Sequence, residues 1–115
     1  MVTHLFNAME PFGHRAPGLI GAVVRHKSAI AGLIADGLHS DPAVVLAAWK
    51  WLGPARLVLV TDAMAATGLG DGDYRLGHAA VTVKHGKVTD SNGRLAGSTL
   101  TMDRDVRNLD DRPRL

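Results

Sequence analysis

Hydrophobic residues along this chain fall alternately into strand-length runs and helix-spaced stripes. Val2 to Phe6 is a short apolar stretch of strand length. From Pro17 to His26, Leu19, Ile20, Val23 and Val24 recur at i, i+1, i+4 and i+5, which puts them on one face of a helix. Ala29 to Ala35, AIAGLIA, is an unbroken apolar run that ends at DGLHSD. Asp41 and Pro42 then make a helix start, a carboxylate N-cap followed by proline in the first turn. Val44, Val45, Ala48, Trp49 and Leu52 give that helix its expected buried stripe, and Gly53-Pro54 stops it. Leu57 to Thr61 is a third strand, read as buried on both faces. Strands that are apolar on both faces and alternate with helices predict a parallel sheet covered by helices.

After Gly72 the spacing changes. Val81, Val83 and Val88 alternate with polar residues, and His85-Gly86 and Asn92-Gly93 are turn signals, so residues 79–97 read as an antiparallel hairpin. A last helix follows, with Met102, Val106 and Leu109 at i, i+4 and i+7. Residues 109–115 read as a frayed, disordered polar tail. With 115 residues the chain suffices for one modest domain, and its two Trp, one Tyr and two Phe leave the core to aliphatic residues and alanine. Thirteen basic residues are scattered and the net charge is +2, so no patch for nucleic acid or a membrane surface is expected. Cysteine is absent, which removes disulfides, thiolate metal sites and cysteine nucleophiles. No apolar run is long enough to span a membrane and the first residues lack a signal-peptide pattern, so the cytoplasm is the default expectation.

The ends of the three predicted strands carry the candidate chemistry: HLFNAM, DGLH and TDAMA. In parallel sheets covered by helices, function gathers at the carboxyl ends of the strands. His4 is either a metal ligand or a core histidine satisfied by backbone, and Asn7 either binds a ligand or caps the turn. Arg15, in GHRAPG, suits a phosphate or carboxylate because its planar fork binds two oxygens; the alternative is a solvated surface arginine. His39, three residues after Asp36 and beyond the permissive Gly37, either donates to an anion or is an ordinary loop residue. Asp62 stands out. A carboxylate after a buried strand is costly unless it is paired, hydrogen-bonded or beside a cation, where it could move a proton from water to a leaving group. Its alternative role is a helix N-cap.

Five ordered stretches carry a more specific signal: THLFNAM (Thr3 to Met9), HRAPGLIGA (His14 to Ala22), IADGLH (Ile34 to His39), LVTDAMAATG and GRLAGSTLTMD (Gly93 to Asp103). Together they resemble the N-acetylglucosamine-6-phosphate deacetylase family of the amidohydrolase superfamily, over about residues 1 to 108. The resemblance implies hydrolysis of the acetamide of N-acetylglucosamine 6-phosphate to glucosamine 6-phosphate and acetate. It implies that His4 ligates a divalent metal, zinc or iron, and that Asn7 and Ala8 contact the sugar phosphate. Arg15 and His39 would bind the phosphate, the arginine reaching into the neighbouring subunit of a homodimer. Asp36, Gly37, Leu38 and His39 would line the substrate pocket, Asp62 would be the general acid/base, and Leu95, Ala96 and Gly97 would pack against the substrate.

The family's fold is a (β/α)8 barrel, which typically needs ~250 residues. The expected architecture here is therefore α/β, a partial barrel of about three βα units followed by a β-hairpin and a helix. The family's other ligand histidine and its ligand carboxylate have no counterpart in this sequence. That departure implies a truncated or frameshifted reading frame, or an excised piece. Three parallel strands leave two unpaired edges, and one histidine makes a poor metal site, so the chain alone is expected to be weakly folded or inactive. Two other readings remain: an inactive remnant that retains sugar-phosphate binding, and a relative acting on another amide or cyclic amide, against which the HRAPG arginine argues.

Overall fold

The computed structural model of the chain describes residues 1–111. Three segments run parallel. Val2 bridges Ala31, with Val2 N–H donating to the Ile30 carbonyl at 2.8 Å and Leu5 N–H to that of Gly32 at 2.7 Å. β1 (Ala31–Leu33) pairs in turn with β2 (Leu57–Leu59) in the register Ala31–Leu57, Gly32–Val58 and Leu33–Leu59. The expected first strand, Val2 to Phe6, is thus reduced to its first residues: from His4 the chain turns.

Two helices cover one face. α1 (Gly18–Arg25) buries Ile20 and Val23, and α2 (Pro42–Leu52) buries Val45, Ala48 and Leu52, against Leu5, Ala31, Leu33, Ala35 and Leu57. Asp41 caps α2 as expected, accepting the Ala43 N–H at 2.8 Å, and Gly53 with φ +67° ends it. Val44 and Trp49, assigned to the buried stripe of α2, are instead exposed, as is Leu19 on the apolar face of α1. Arg56 ties the two helices together below the sheet: its guanidinium donates to the Val23, His26 and Trp51 carbonyls at the helix C-termini, a favourable place for a cation.

The expectation of a strand buried on both faces fails at β2. Leu57 points into the core, but Val58 on the opposite face is 38% exposed, because α1 and α2 lie on one side only. Ile30, on the neighbouring segment, is equally open.

The second sheet is a meander rather than a lone hairpin. β3 (Gly72–Leu76) pairs with β4 (Ala79–Lys84), and β4 with β5 (Lys87–Asp90), all antiparallel. The two-residue turn between β4 and β5 has φ +51° at His85 and +76° at Gly86, the left-handed pair that matches strand twist. Val81, Val83 and Val88 face Met64 and Ala66 in a small second core.

α3 (Met102–Asp110) corrects the expected apolar stripe. Met102 and Val106 are 48% and 52% exposed, whereas Asp105 is fully buried and Leu109 packs partly against the main core. Leu109 and Asp110 are helical rather than part of a frayed tail, and the rest of the expected tail, 112–115, lies outside the described residues. No helix among the described residues is long and apolar enough to cross a membrane.

Candidate active site

Because the three segments are parallel and adjacent, the residues that follow them emerge on one rim. His4 follows the first segment, Asp36 to His39 follow β1, and Asp62 follows β2. The first segment and β2 flank β1, so their backbones stand about 9–10 Å apart, two strand spacings. Of the five non-glycine residues with left-handed φ among the described residues, four lie on this rim: His4 (+29°), Phe6 (+76°), Ala8 (+54°) and Asp62 (+50°). Such conformations cost on the order of 1–3 kcal/mol each and cluster where function demands them.

His4 sits in a tight turn. Its ring Nδ1 lies 3.0 Å from the Asn7 carbonyl, and Asn7 N–H donates back to the His4 carbonyl at 2.9 Å. A carbonyl only accepts, so Nδ1 carries the hydrogen, and in the neutral ring Nε2 keeps its lone pair. That is the state a metal-ligating histidine needs. Asn7 spends its amide on the Leu5 carbonyl at 3.3 Å, so it holds the turn that orients His4. A metal needs more than this: among the described residues no three His, Asp or Glu side chains converge on a common point. The described residues therefore do not by themselves make a metal site.

The Asp36–His39 turn is closed by hydrogen bonds to the Asp36 carboxylate. Asp36 Oδ1 accepts the Leu38 and His39 N–H groups at 2.8 and 2.7 Å, and Oδ2 lies 2.7 Å from His39 Nδ1. The two side chains are only 9% and 5% exposed, and Gly37 reaches φ +78° to close the turn. Burial pushes the Asp36 carboxyl up, but the His39 ring and the N–H groups of His39 and Leu38 outweigh it, and the carboxyl lies below its ordinary value. The carboxylate fixes the ring's Nδ1–H and leaves Nε2 as the edge available to a ligand.

Arg15 is exposed at the tip of a loop that Gly13 and Ala16 pinch shut, each donating its N–H to the other's carbonyl at 3.1 and 3.2 Å. Asp62 is exposed too, which removes the desolvation cost its sequence position suggested. No helix follows for it to cap. Its backbone is held firmly: Ser98 N–H donates to the Asp62 carbonyl at 2.8 Å, Met64 N–H to the Ser98 carbonyl at 2.9 Å, and the Ser98 hydroxyl to the Thr61 carbonyl. Gly97 lies against this pairing, where an added Cβ would come within 3.3 Å of the Asp62 carbonyl oxygen. Leu95 and Ala96 continue the meander instead, bridging Thr89 and bonding the Val88 carbonyl.

The structure thus joins His4 to Asn7, Asp36 to His39, and Asp62 to Gly97. Sequence reasoning missed three residues that support them: Ser98, Asp105 and Asn108. The i, i+3 spacing of Asp105 and Asn108 was the available signal, hidden by the apolar residues beside it. A cleft of about 260 Å³ opens beside Asp36 and Leu38, bounded by the His85–Gly86 turn, Arg104 and Asn108. Neither His4, Arg15 nor Asp62 lines it.

No protein-family model matches the chain. It is 45% identical over 108 residues to an N-acetylglucosamine-6-phosphate deacetylase from Bacillus subtilis, covering 94% of this chain and 27% of the relative. An N-acetylgalactosamine-6-phosphate deacetylase from Escherichia coli O157:H7 is 43% identical, with 94% and 28% covered. A solved structure of a mutant N-acetyl-D-glucosamine-6-phosphate deacetylase from Mycobacterium smegmatis, in complex with N-acetyl-D-glucosamine-6-phosphate, superposes with a TM-score of 0.89 at 42% identity, over 92% of this chain and 28% of that one. The chain is thus homologous to one segment of the N-acetylglucosamine-6-phosphate deacetylases and spans about a quarter of the length of these three relatives.

Proposed function

We propose that the chain supplies the acid–base and phosphate-side elements of a deacetylase that converts N-acetylglucosamine 6-phosphate to glucosamine 6-phosphate and acetate. The observation that carries this reading is that His4, the Asp36–His39 pair and Asp62 each follow one of three adjacent parallel segments, on one rim. Those segments are then about three βα units of a (β/α)8 barrel, and the open face at Ile30 and Val58 is its interior side.

Asp62 takes a proton from the attacking water as oxygen bonds to the acetyl carbon, and returns it to the sugar nitrogen as the C–N bond breaks. Arg15 and His39 hold the phosphate, the arginine by its two-pronged fork and from a loop tip that suits reach into a second subunit of a homodimer. Asn7 and Ala8 contact the sugar phosphate, Asp36, Gly37 and Leu38 line its pocket, and Leu95, Ala96 and Gly97 pack against it. The family's divalent ion, zinc or iron, has one ligand here in His4 Nε2, and the described residues do not complete its site.

A chimera in which this chain replaces the matching segment of the Bacillus subtilis relative tests the reading. It should release acetate from N-acetylglucosamine 6-phosphate, and Asp62→Asn should lower kcat about 100- to 10,000-fold. Unchanged turnover in that variant would remove Asp62 from the role. Because an N-acetylgalactosamine 6-phosphate enzyme is almost equally similar, both C4 epimers belong in the assay. A second reading is sugar-phosphate binding without hydrolysis. Saturable glucosamine 6-phosphate binding lost in Arg15→Ala, with no acetate released by the chimera, would support it.

A further inference from the structure

The Asp36–His39 turn is gripped from behind by residues that lie far away in sequence. Ala35, the residue before Asp36, donates its N–H to Asp105 Oδ1 at 2.9 Å, and its carbonyl accepts from Asn108 Nδ2 at 3.0 Å. Asp105 and Asn108 stand at i, i+3 on one face of α3, so a single helix face clamps both polar groups of one residue. Side chains here take the place of a neighbouring strand.

A contact serving stability alone would be built differently. Asp105 is fully buried, and burying a carboxylate is costly even when it is hydrogen-bonded. The apolar residues beside it, Met102 and Val106, face solvent. The helix therefore docks by a polar pair that fixes the direction of one stretch of backbone, and that stretch leads straight into the carboxylate that orients His39.

We propose that Asp105 and Asn108 are positioning residues for the Asp36–His39 turn: by holding the Ala35 backbone they set the aim of His39 Nε2. This rests on the reading of that turn as the phosphate side of the site. With the clamp open, Ala35 can rotate, Asp36 follows, and the imidazole edge swings away from the ligand while the helix stays docked through Leu109.

The test uses the full 115-residue chain, ¹⁵N-labelled, as wild type, Asn108→Ala and Asp105→Leu. Leucine keeps the branching of Asp105 at Cγ and removes the acceptor, while adding volume at a fully buried position. Thermal midpoints, the Leu38 and His39 amide resonances, the His39 ring resonances and the affinity for glucosamine 6-phosphate are measured together. The proposal expects the Leu38 and His39 signals to move in every folded variant while those of Val81 and Val83 stay. It also expects affinity to fall about tenfold, as for one lost hydrogen bond, whatever happens to the midpoint. Folded variants whose 38–39 signals and affinity match wild type would overturn it, as would a lowered midpoint with unmoved signals. If Asp105→Leu does not fold, Asn108→Ala decides by the same two results. A wild-type chain that binds no sugar phosphate refutes the reading of the turn, and the resonances alone then decide the clamp.

Discussion

Gly97 and Gly37 form a natural experiment. Both adopt φ +78°, but their surroundings differ. A Cβ at Gly37 meets nothing within 4 Å, whereas one at Gly97 would lie 3.3 Å from the Asp62 carbonyl oxygen and from Cβ and Cγ of Met64. Alanine at either position carries the left-handed strain of about 1–2 kcal/mol. At Gly97 it must also push on a carbonyl that is fixed by the Ser98 N–H at 2.8 Å. Weakening that bond adds about 0.5–1.5 kcal/mol. Gly97→Ala should therefore destabilise by about 1.5–3.5 kcal/mol and Gly37→Ala by about 1–2. For a domain of this size each kcal/mol corresponds to about 4–8 °C in Tm. Urea denaturation of both variants with a common slope measures the difference directly. Equal losses would refute the close approach of residue 97 to the Asp62 carbonyl, and with it the account of how Asp62 is held.

Three further outcomes follow from the same contacts. The Asp36 carboxyl lies below its ordinary value in the folded chain, so its contribution is present at neutral pH and is lost as pH falls below about 4 through the folded value. Asp36→Asn should flatten that acid limb of the stability curve, and an unchanged limb would contradict the pairing with His39. Leu33→Ala, at a fully buried position between α1 and α2, should cost about 2–5 kcal/mol by chemical denaturation. Asp41→Ala should cost about 1 kcal/mol through the lost cap of α2, read as a lower Tm.

The legible parts of this fold are those set by local chemistry. Asp41-Pro42 announces α2, Gly53 ends it, and His85-Gly86 announces a left-handed two-residue turn; each works through its own backbone. The strands were found by their apolar runs, yet their exposure was not. Val58 looks like a core residue in sequence and is open because a helix layer lies on only one side. β3 carries too little apolar residue in GDYRL to announce a strand, and it forms because β4 offers it an edge. α3 inverts its pattern since Asp105 and Asn108 meet a backbone 70 and 73 residues away, a partner no local window contains. The site divides in the same way. The positions at the strand ends could be read from order and spacing, whereas the pairing of His39 with Asp36 goes beyond the anion donor or ordinary loop residue that the sequence suggested. The pinning of Asp62 by Ser98 required a parallel pairing between distant segments.

The most direct measurement titrates glucosamine 6-phosphate into the ¹⁵N-labelled chain and follows every backbone amide, in wild type and in Arg15→Ala. Shifts at residues 4–8, 36–39 and 62–64, together with Arg15 and residues 95–97, saturating in wild type and abolished in the variant, are the predicted result. Saturable shifts at the His85–Gly86 turn and Arg104 that leave those residues untouched would contradict a sugar-phosphate site on the rim.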